Sequence, residues 1–340
     1  MDGVTATTPR LPWSGPYLFT STAGARPFFV YTPTGHRPDT PAPLVVVLHG
    51  CSQTPRGIAI TTQWNELAEE HGAVVVYPGQ TLAVAPDDVV GPDGEPGSSR
   101  QDGWPEGNGD HCWNWFLPQH QGRDAGEPAI IAGITRAVMA RWTIDPARVY
   151  VAGLSAGAAM AVVLGATYPD LYAAVGAHSG LQYQAATDVF SAFQALAHGG
   201  PDPVEQGRRA YEAMGEYARV VPVLVVQGTA DRRVHPVNGD QVIEQWLVTN
   251  RLAGGPGFTA GFASPATDTR FPEPVPGGHP YRVRTWVDSA GAAVHEYWTV
   301  DGMGHAWSGG YWLGSFADPR GPSATRAMIA FFARQALSSG

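Results

Sequence analysis

The chain has little sulfur and little charge for its length. Its 340 residues include 2 cysteines, and Asp, Glu, Lys and Arg together make up 15% of the sequence, with a net charge of −9 at pH 7. The negative balance and the absence of a Lys/Arg-rich run argue against a nucleic-acid partner and against binding to an anionic membrane surface. No stretch approaches the roughly 18 apolar residues of a membrane-spanning helix, so no membrane association is expected.

The N-terminal stretch MDGVTATTPRLPW also lacks the apolar core of an export signal. A cytoplasmic location follows if Met1 is the native start. A secreted mature form that had gained a start methionine would have the same sequence. The compartment therefore stays open.

Repeats and low-complexity blocks are absent too, although glycine (42) and proline (30) are abundant. Both residue types are spread between apolar runs, which is typical of long ordered loops. Two Gly- and Pro-rich segments, at about 82–124 and 253–280, are predicted to be insertions. We expect one catalytic domain over residues 1–340, with no separate polymer-binding domain.

The order of apolar runs predicts an α/β fold with a mostly parallel sheet. Tyr17–Ser21 and Arg26–Thr32 form a predicted antiparallel hairpin. Further strands are predicted at 44–48, 73–77, 149–152, 173–177, 223–226, 281–287 and 295–300. Helices are predicted at 62–71, 127–142 and 158–167, with another beginning near Ser323. Fully apolar strands that alternate with helices indicate a sheet covered on both faces.

A Gly-x-Ser-x-Gly motif lies between a predicted strand and a small-residue helix. In this motif Ser155 is flanked by Gly153 and Gly157. A turn sharp enough to present a serine hydroxyl alone in a cleft leaves no room for side chains at the flanking positions. We therefore predict Ser155 to be a catalytic nucleophile. The alternative is an ordinary glycine-rich turn.

A serine nucleophile needs a base and an orienting carboxylate, which follow it in the order Ser, Asp, His in hydrolase sheets. Asp231 comes directly after the strand at 223–226, and His305 follows the last predicted strand in a glycine-containing loop. These two residues are the predicted acid and base, and the two glycines beside Met303 are expected to admit a close approach. His235 is the alternative base.

Asp301 and Asp240 are the next candidates for the acid. His49 and His178 are predicted to be structural. Two backbone N–H groups are needed to stabilise a tetrahedral oxyanion. We assign these donors to Ala156, which follows the nucleophile, and to Cys51, which follows an early strand.

Five stretches together resemble one family, the α/β-hydrolase esterases related to polyhydroxybutyrate depolymerases, including their feruloyl-esterase-like members. The stretches are PLVVVLHGCSQ (43–53), CWNWF (112–116), IDPARVYVAGLSAG (144–157), QGTAD (227–231) and VDGMGHAWSGG (300–310). The resemblance implies an α/β-hydrolase fold, ester hydrolysis, and a triad of Ser155, Asp231 and His305. It also implies an extracellular location.

The substrate implied by the resemblance is limited by the length of the chain. Polymer-degrading relatives look like a catalytic domain joined to a polymer-binding domain, and here the catalytic domain fills the sequence. Short or oligomeric hydroxyacid esters, or aromatic acid esters, are therefore expected rather than solid polymer. No cofactor is expected, because the triad chemistry needs none.

Cys51 and Cys112 are close to the predicted site and are expected to form a disulfide, the alternative being two buried thiols. Their spacing does not fit a zinc site, so no metal is predicted. Trp113, Trp115 and Trp307 lie in or beside the motif loops and are expected to line the substrate pocket. Filling of the core beneath those loops is the alternative.

The leading function is a cofactor-free serine esterase that acts through an acyl-enzyme on a small-molecule or oligomeric ester. A serine peptidase of the same fold is the second hypothesis. The third is a hydrolase fold without activity that serves as a binding module. The oligomeric state is not indicated.

Overall fold

The computed structural model describes residues 13–80, 110–254 and 266–337. Its strands are β1 (Ser14–Ser21), β2 (Gly24–Tyr31), β3 (Ala42–Leu48), β4 (Val74–Pro78), β5 (Ile144–Leu154), β6 (Ala174–His178), β7 (Val223–Gly228), β8 (Asp268–Arg270), β9 (Tyr281–Val287), β10 (Ala293–Val300), β11 (Trp307–Ser308) and β12 (Ala317–Asp318). Its helices are α1 (Pro55–Thr62), α2 (Trp64–His71), α3 (Gly126–Arg141), α4 (Ala156–Thr167), α5 (Val189–His198), α6 (Pro203–Met214), α7 (Val237–Ala253) and α8 (Ala324–Phe332).

Ten of the described strands form one sheet in the order β1-β2-β4-β3-β5-β6-β7-β10-β9-β8. The strands from β4 to β10 in this order are parallel, and antiparallel pairs flank them at both edges. Parallel neighbours place their carboxyl ends, and the loops that follow them, along one edge of the sheet. The predicted mostly parallel α/β architecture is confirmed.

The central strands are apolar because helices cover both faces of the sheet. One core contains side chains of α3, α4 and α7, and the other contains side chains of α1, α2 and α8. Every residue of α4 is buried. This helix is built from small and aliphatic residues, which lets it pack closely on the sheet.

The structure differs from the predicted elements in several places. The helix predicted over 62–71 is α2, which begins at Trp64. A helix that was not predicted, α1, precedes it and ends before Gln63, whose φ is 56°. The predicted insertion at 253–280 contains β8, an edge strand of the sheet. Residues 81–109, which include most of the first predicted insertion, and residues 255–265, which are part of the second, lie outside the described residues.

None of the described helices combines the length and the apolar character needed to cross a bilayer.

The predicted disulfide is confirmed: Cys51 and Cys112 are bonded across a sequence separation of 61 residues. The bond joins the turn after β3 to the segment that leads into α3. The backbone of the same turn is joined to this segment by a hydrogen bond of 2.7 Å from the Ser52 N–H to the Asp110 carbonyl. Two links therefore fix the segment to the carboxyl edge of β3.

A buried polar network also holds the segment that leads into α3. The Glu127 carboxylate is fully buried and accepts hydrogen bonds from the Arg26 guanidinium (3.1 Å), the Asn114 side chain (2.8 Å), the Asn114 backbone N–H (2.7 Å) and the Gln80 side chain. A buried carboxylate is tolerated only when donors replace its lost hydration. The network thus fixes Asn114, and the chain around it, to β2 and the end of β4.

Reduction of the disulfide should lower the stability of the protein. A loop closed over 61 residues removes chain entropy from the unfolded state that corresponds to about 4 kcal/mol. We expect a lower Tm in the presence of reductant and in the Cys51→Ser/Cys112→Ser double variant. Thiol titration of the denatured, unreduced protein should find no free thiol, and two free thiols would contradict the bond.

Candidate active site

Ser155 occupies the sharp turn between β5 and α4. Its backbone has φ 58° and ψ −120°, a left-handed conformation that is strained for a residue with a side chain. The Ser155 N–H donates to the carbonyl of His178 at the end of β6 (2.9 Å). This hydrogen bond ties the turn to the neighbouring strand and offsets part of the strain.

The two glycines of the motif are required by close backbone contacts. A Cβ at Gly153 would overlap the backbone of Gly157, and a Cβ at Gly157 would overlap the carbonyl groups of Leu48 and His49. Helix α4 can therefore begin directly against the end of β3. Side chains at either position would push α4, and the serine in front of it, away from the sheet.

Asp231 lies in the loop after β7, where it is 3% exposed. Its Oδ1 accepts from the backbone N–H groups of Arg233 and Val234 (both 2.9 Å), and its Oδ2 contacts His305 Nδ1 at 2.7 Å. Burial acts to raise the pKa of Asp231, but the hydrogen bond and the charge of His305 outweigh it, and the backbone N–H groups add to their effect. The net pKa lies below the usual value, so the group is an anion at neutral pH.

The loops that carry Asp231 and His305 are joined directly to each other. The Ala230 N–H donates to the Met303 carbonyl (3.0 Å), and a Cβ at Gly228 would overlap that same carbonyl. The position that requires a glycine is therefore Gly228, at the end of β7. The predicted close approach is wrong for Gly304, because a Cβ there would meet no atom within 4 Å.

The alternative base and acids lie elsewhere. His235 is exposed, and its Nδ1 accepts from the Val237 N–H at the start of α7 (3.2 Å). Asp301 is exposed. Asp240, which lies on α7, forms a salt bridge of 3.4 Å with Arg284. Among these candidates, His305 alone combines contact with Asp231 and a position in the cleft that contains Ser155.

The predicted oxyanion donors lie beside Ser155. Ala156 is the first residue of α4, so its N–H is among the helix donors that have no partner within the helix. The turn that carries Cys51 is held by Gln53, whose Oε1 accepts from the Gly50 N–H (2.9 Å) and whose Nε2 donates to the Ser315 carbonyl (3.0 Å). Gln53 thereby fixes the turn without using the Cys51 N–H. Oxyanion binding by Cys51 and Ala156 remains a prediction.

A cleft of about 550 Å³ opens in front of Ser155 and His305. A volume of this size suits a small or oligomeric ligand. Its walls are mostly apolar, and beside the turns that carry Ser155 and Cys51 they come from the disulfide-linked segment, α5, the loop after β7 and the loop before β12. The side chains that line it include Asp110, Trp115, Phe193, Leu196, Arg233 and Phe316.

Of the three tryptophans predicted to line the pocket, Trp115 does so. Trp113 and Trp307 are instead core residues, 0% and 1% exposed, and lie outside the walls of the described cleft. The indole N–H of Trp113 donates to the His49 carbonyl (3.1 Å), and that of Trp307 donates to Thr325 (2.9 Å). These hydrogen bonds satisfy the indoles within the core, so both residues support the loops from beneath.

His49 and His178 are buried supports, as predicted for both. The His178 ring stacks on Trp307, with 4.9 Å between ring centroids, and its Nε2 accepts from the Ser308 N–H (2.9 Å). Burial, aided by the charge of His305, lowers the pKa of His178 to about 3. Burial likewise lowers the pKa of His49 to about 4. Both imidazoles are therefore neutral, and His178 holds the loop that follows His305.

Helix α5 is a wall of the cleft that the sequence interpretation missed. Val189, Phe193 and Leu196 follow one another at spacings of four and three residues and line the cleft together. Asp188 caps the helix by accepting from the Ser191 N–H (2.7 Å). This apolar spacing after a capping residue was a readable helix signal. No comparable signal marks Gln53, Arg233 or Phe316.

The described residues contain no group of three or more His, Cys, Asp or Glu side chains that could hold a metal ion.

Comparison with known proteins matches residues 104–271 to the family described as "Esterase PHB depolymerase". Over 289 residues the chain is 32% identical to "Poly(3-hydroxyalkanoate) depolymerase C" of Paucimonas lemoignei, covering 84% of this chain and 60% of the relative. It is 28% identical over 295 residues to "Poly(3-hydroxybutyrate) depolymerase" of Ralstonia pickettii, covering 82% of this chain and 50% of the relative. The chain thus spans 50–60% of the length of these two proteins.

Among solved structures, the "Acetyl xylan esterase from Aspergillus awamori" superimposes with a TM-score of 0.66 at 19% identity, covering 93% of this chain and 98% of that one. This likeness concerns the fold. It confirms the predicted α/β-hydrolase fold, and the family and sequence matches confirm the predicted resemblance.

The buried position of Trp307 generates a prediction about stability. Trp307→Ala would open a cavity beneath the loop and leave Thr325 without its donor, so it should lower the free energy of unfolding by about 3–5 kcal/mol. Trp312→Ala, which removes an indole that is 63% exposed, is the matched control and should change it by about 0.5 kcal/mol or less. Urea unfolding of both variants tests this, and equal stability of the two would contradict a core role.

Proposed function

Because this chain is a homologue of the polyhydroxybutyrate depolymerases and carries a domain of the Esterase PHB depolymerase family, we propose that it is a serine carboxylic-ester hydrolase acting through an acyl-enzyme. The observation that carries the proposal is the 2.7 Å contact between Asp231 and His305 Nδ1, with His305 and Ser155 lining one cleft. That arrangement supplies an oriented base next to a serine presented by a strained turn.

In the proposed reaction, His305 Nε2 removes the proton of Ser155 as its Oγ attacks the ester carbonyl carbon. The negative charge on the carbonyl oxygen is stabilised by the N–H groups of Cys51 and Ala156. The bond to the alcohol oxygen then breaks, and His305 returns the proton to the departing alcohol. Water attacks the acyl-enzyme by the same route and releases the acid. Asp231 holds the imidazole tautomer with its proton on Nδ1.

The substrates that we propose are short or oligomeric hydroxyacid esters or aromatic acid esters. The cleft volume of about 550 Å³ and its apolar walls, which include Trp115, Phe193 and Leu196, favour this class. Esters small enough to enter this cleft from solution are therefore the substrates that we propose.

Ser155→Ala should abolish hydrolysis, because it removes the attacking oxygen while its backbone hydrogen bond to His178 remains. The expected loss in kcat on p-nitrophenyl butyrate is on the order of 10⁶. Labelling by a fluorophosphonate probe should disappear in the same variant. Activity within tenfold of the unmodified protein, at an unchanged Tm, would exclude Ser155 as the nucleophile.

Asp231→Asn should lower kcat by about 10⁴, because an amide that donates toward the ring favours the wrong imidazole tautomer. Asp301→Asn is the matched control, since this carboxylate is exposed near the same loop, and its kcat should stay within about twofold. Steady-state kinetics at neutral pH measures both. Near-normal turnover by Asp231→Asn would show that the orienting acid lies elsewhere.

A further inference from the structure

The cleft carries a specific distribution of charge. Among the described residues that line it, Arg233 is the cation and Asp110 is the carboxylate, and His305 is the proposed base. All other described lining side chains are uncharged. A cation at the wall of a mostly apolar cleft attracts an anionic group of a ligand more strongly than it would in open solvent.

Both the backbone and the side chain of Arg233 are held in position. Its backbone N–H donates to Asp231 Oδ1 (2.9 Å), and its guanidinium lies over the Phe316 ring, 5.1 Å from the centroid. Within the described parts of the chain, no carboxylate forms a salt bridge with this guanidinium. Arg233 is an exposed residue at the wall of the cleft, and its guanidinium has no internal anion to neutralise it.

Phe316 is itself held in an unusual conformation. Its φ is 55°, in the left-handed region that bulky residues avoid. The carbonyl of Phe316 accepts a hydrogen bond from the Trp307 N–H (2.6 Å), and its ring meets the His305 ring edge-on at 6.1 Å. Backbone strain of this kind concentrates at functional sites. Here it places one aromatic ring against both Arg233 and the proposed base.

The contact of the Phe316 ring with both Arg233 and His305 indicates which part of the substrate lies near Arg233. His305 must return a proton to the departing alcohol oxygen, so the alcohol part of the ester lies on the His305 side of the cleft. Arg233 is on that side as well. Asp110 belongs to the opposite side, because its carbonyl accepts from Ser52 in the turn that carries the proposed oxyanion donor.

We propose that Arg233 binds a carboxylate on the alcohol part of the ester, so that the cleft selects esters of hydroxy acids whose own carboxyl group is free. This inference rests on the proposed function and specifies its substrate class. The attack of Ser155 forms the acyl-enzyme bond and breaks the bond to the alcohol oxygen. That oxygen takes the proton from His305, and the product leaves as a free hydroxy acid. A short hydroxyacid oligomer is accordingly shortened from its carboxyl end.

The test compares small esters that differ only in charge. The pair 3-acetoxybutyrate and 3-acetoxybutyramide places a carboxylate or a neutral amide on the alcohol part, and acetate release is measured for both. We expect kcat/KM to be about five- to tenfold higher for the carboxylate, because a charge-assisted contact at a partly exposed site gives a preference of this size. Monomethyl succinate and methyl succinamate carry the same two groups on the acyl part. For that pair, methanol release should show no preference for the carboxylate.

Arg233→Gln should abolish the preference within the first pair by lowering kcat/KM for the carboxylate. Arg233→Lys should keep part of it, because the charge remains while the planar guanidinium is lost. Arg232→Gln is the matched control, since Arg232 is exposed and adjacent but lies outside the described walls of the cleft, and it should keep the full preference. The preference of the unmodified protein should also shrink as salt rises toward 1 M.

Two results would overturn the inference alone: equal kcat/KM for 3-acetoxybutyrate and its amide, or an unchanged preference in Arg233→Gln, each in a protein that hydrolyses p-nitrophenyl acetate. Failure of the unmodified protein to hydrolyse any of these esters would overturn the proposed function together with the inference. Tm values of the three variants confirm that each is folded.

Discussion

The contact between the start of α4 and the end of β3 is the constraint on which the site depends. Gly157 lies against the carbonyl groups of Leu48 and His49, at a separation that no side chain permits. This packing sets the sharp turn at Ser155 and brings the N–H of Ala156 next to the turn that carries Cys51. The hydrogen bond from the Ser155 N–H to His178 adds a third strand to the arrangement. The proposed nucleophile and the predicted oxyanion donors therefore share one rigid framework.

The loops around this framework are held by neutral or fully paired polar groups. His178 accepts from the Ser308 N–H, and its burial keeps it uncharged, so it stabilises the loop after His305 without competing for Asp231. Glu127 is buried as a carboxylate, but four hydrogen bonds from Arg26, Gln80 and Asn114 replace its hydration. The disulfide then closes the same region from the surface. The small share of charged residues in the sequence agrees with the small number of charged groups buried here.

The sequence allowed the sheet and the three candidate catalytic residues to be predicted, because both depend on local order. Apolar runs mark parallel strands, and the residues after strands share one sheet edge, which is why Asp231 and His305 meet in the structure. The side of a loop on which a tryptophan lies depends on tertiary packing instead. Trp115 faces the cleft, whereas Trp113 and Trp307 face the core, although all three occupy similar motif positions. The role of Gly228, which admits the Met303 carbonyl, likewise depends on the pairing of β7 with β10.

The residues that we propose to react and those that we propose to select the substrate belong to different parts of the fold. Ser155, Asp231 and His305 follow β5, β7 and β10, three strands of the parallel part of the sheet, whose register the core fixes. The apolar wall comes from α5, whose buried residues are Ala192 and Ala195 and whose Phe193 is 67% exposed. Because small residues anchor this helix, its large side chains can change without disturbing the sheet. Arg233 occupies the boundary: its backbone orients Asp231, while its side chain faces the cleft. We therefore expect changes in acyl preference to arise on α5, and changes in the proposed carboxylate selection to arise from the side chain of Arg233, while its backbone N–H continues to hold Asp231.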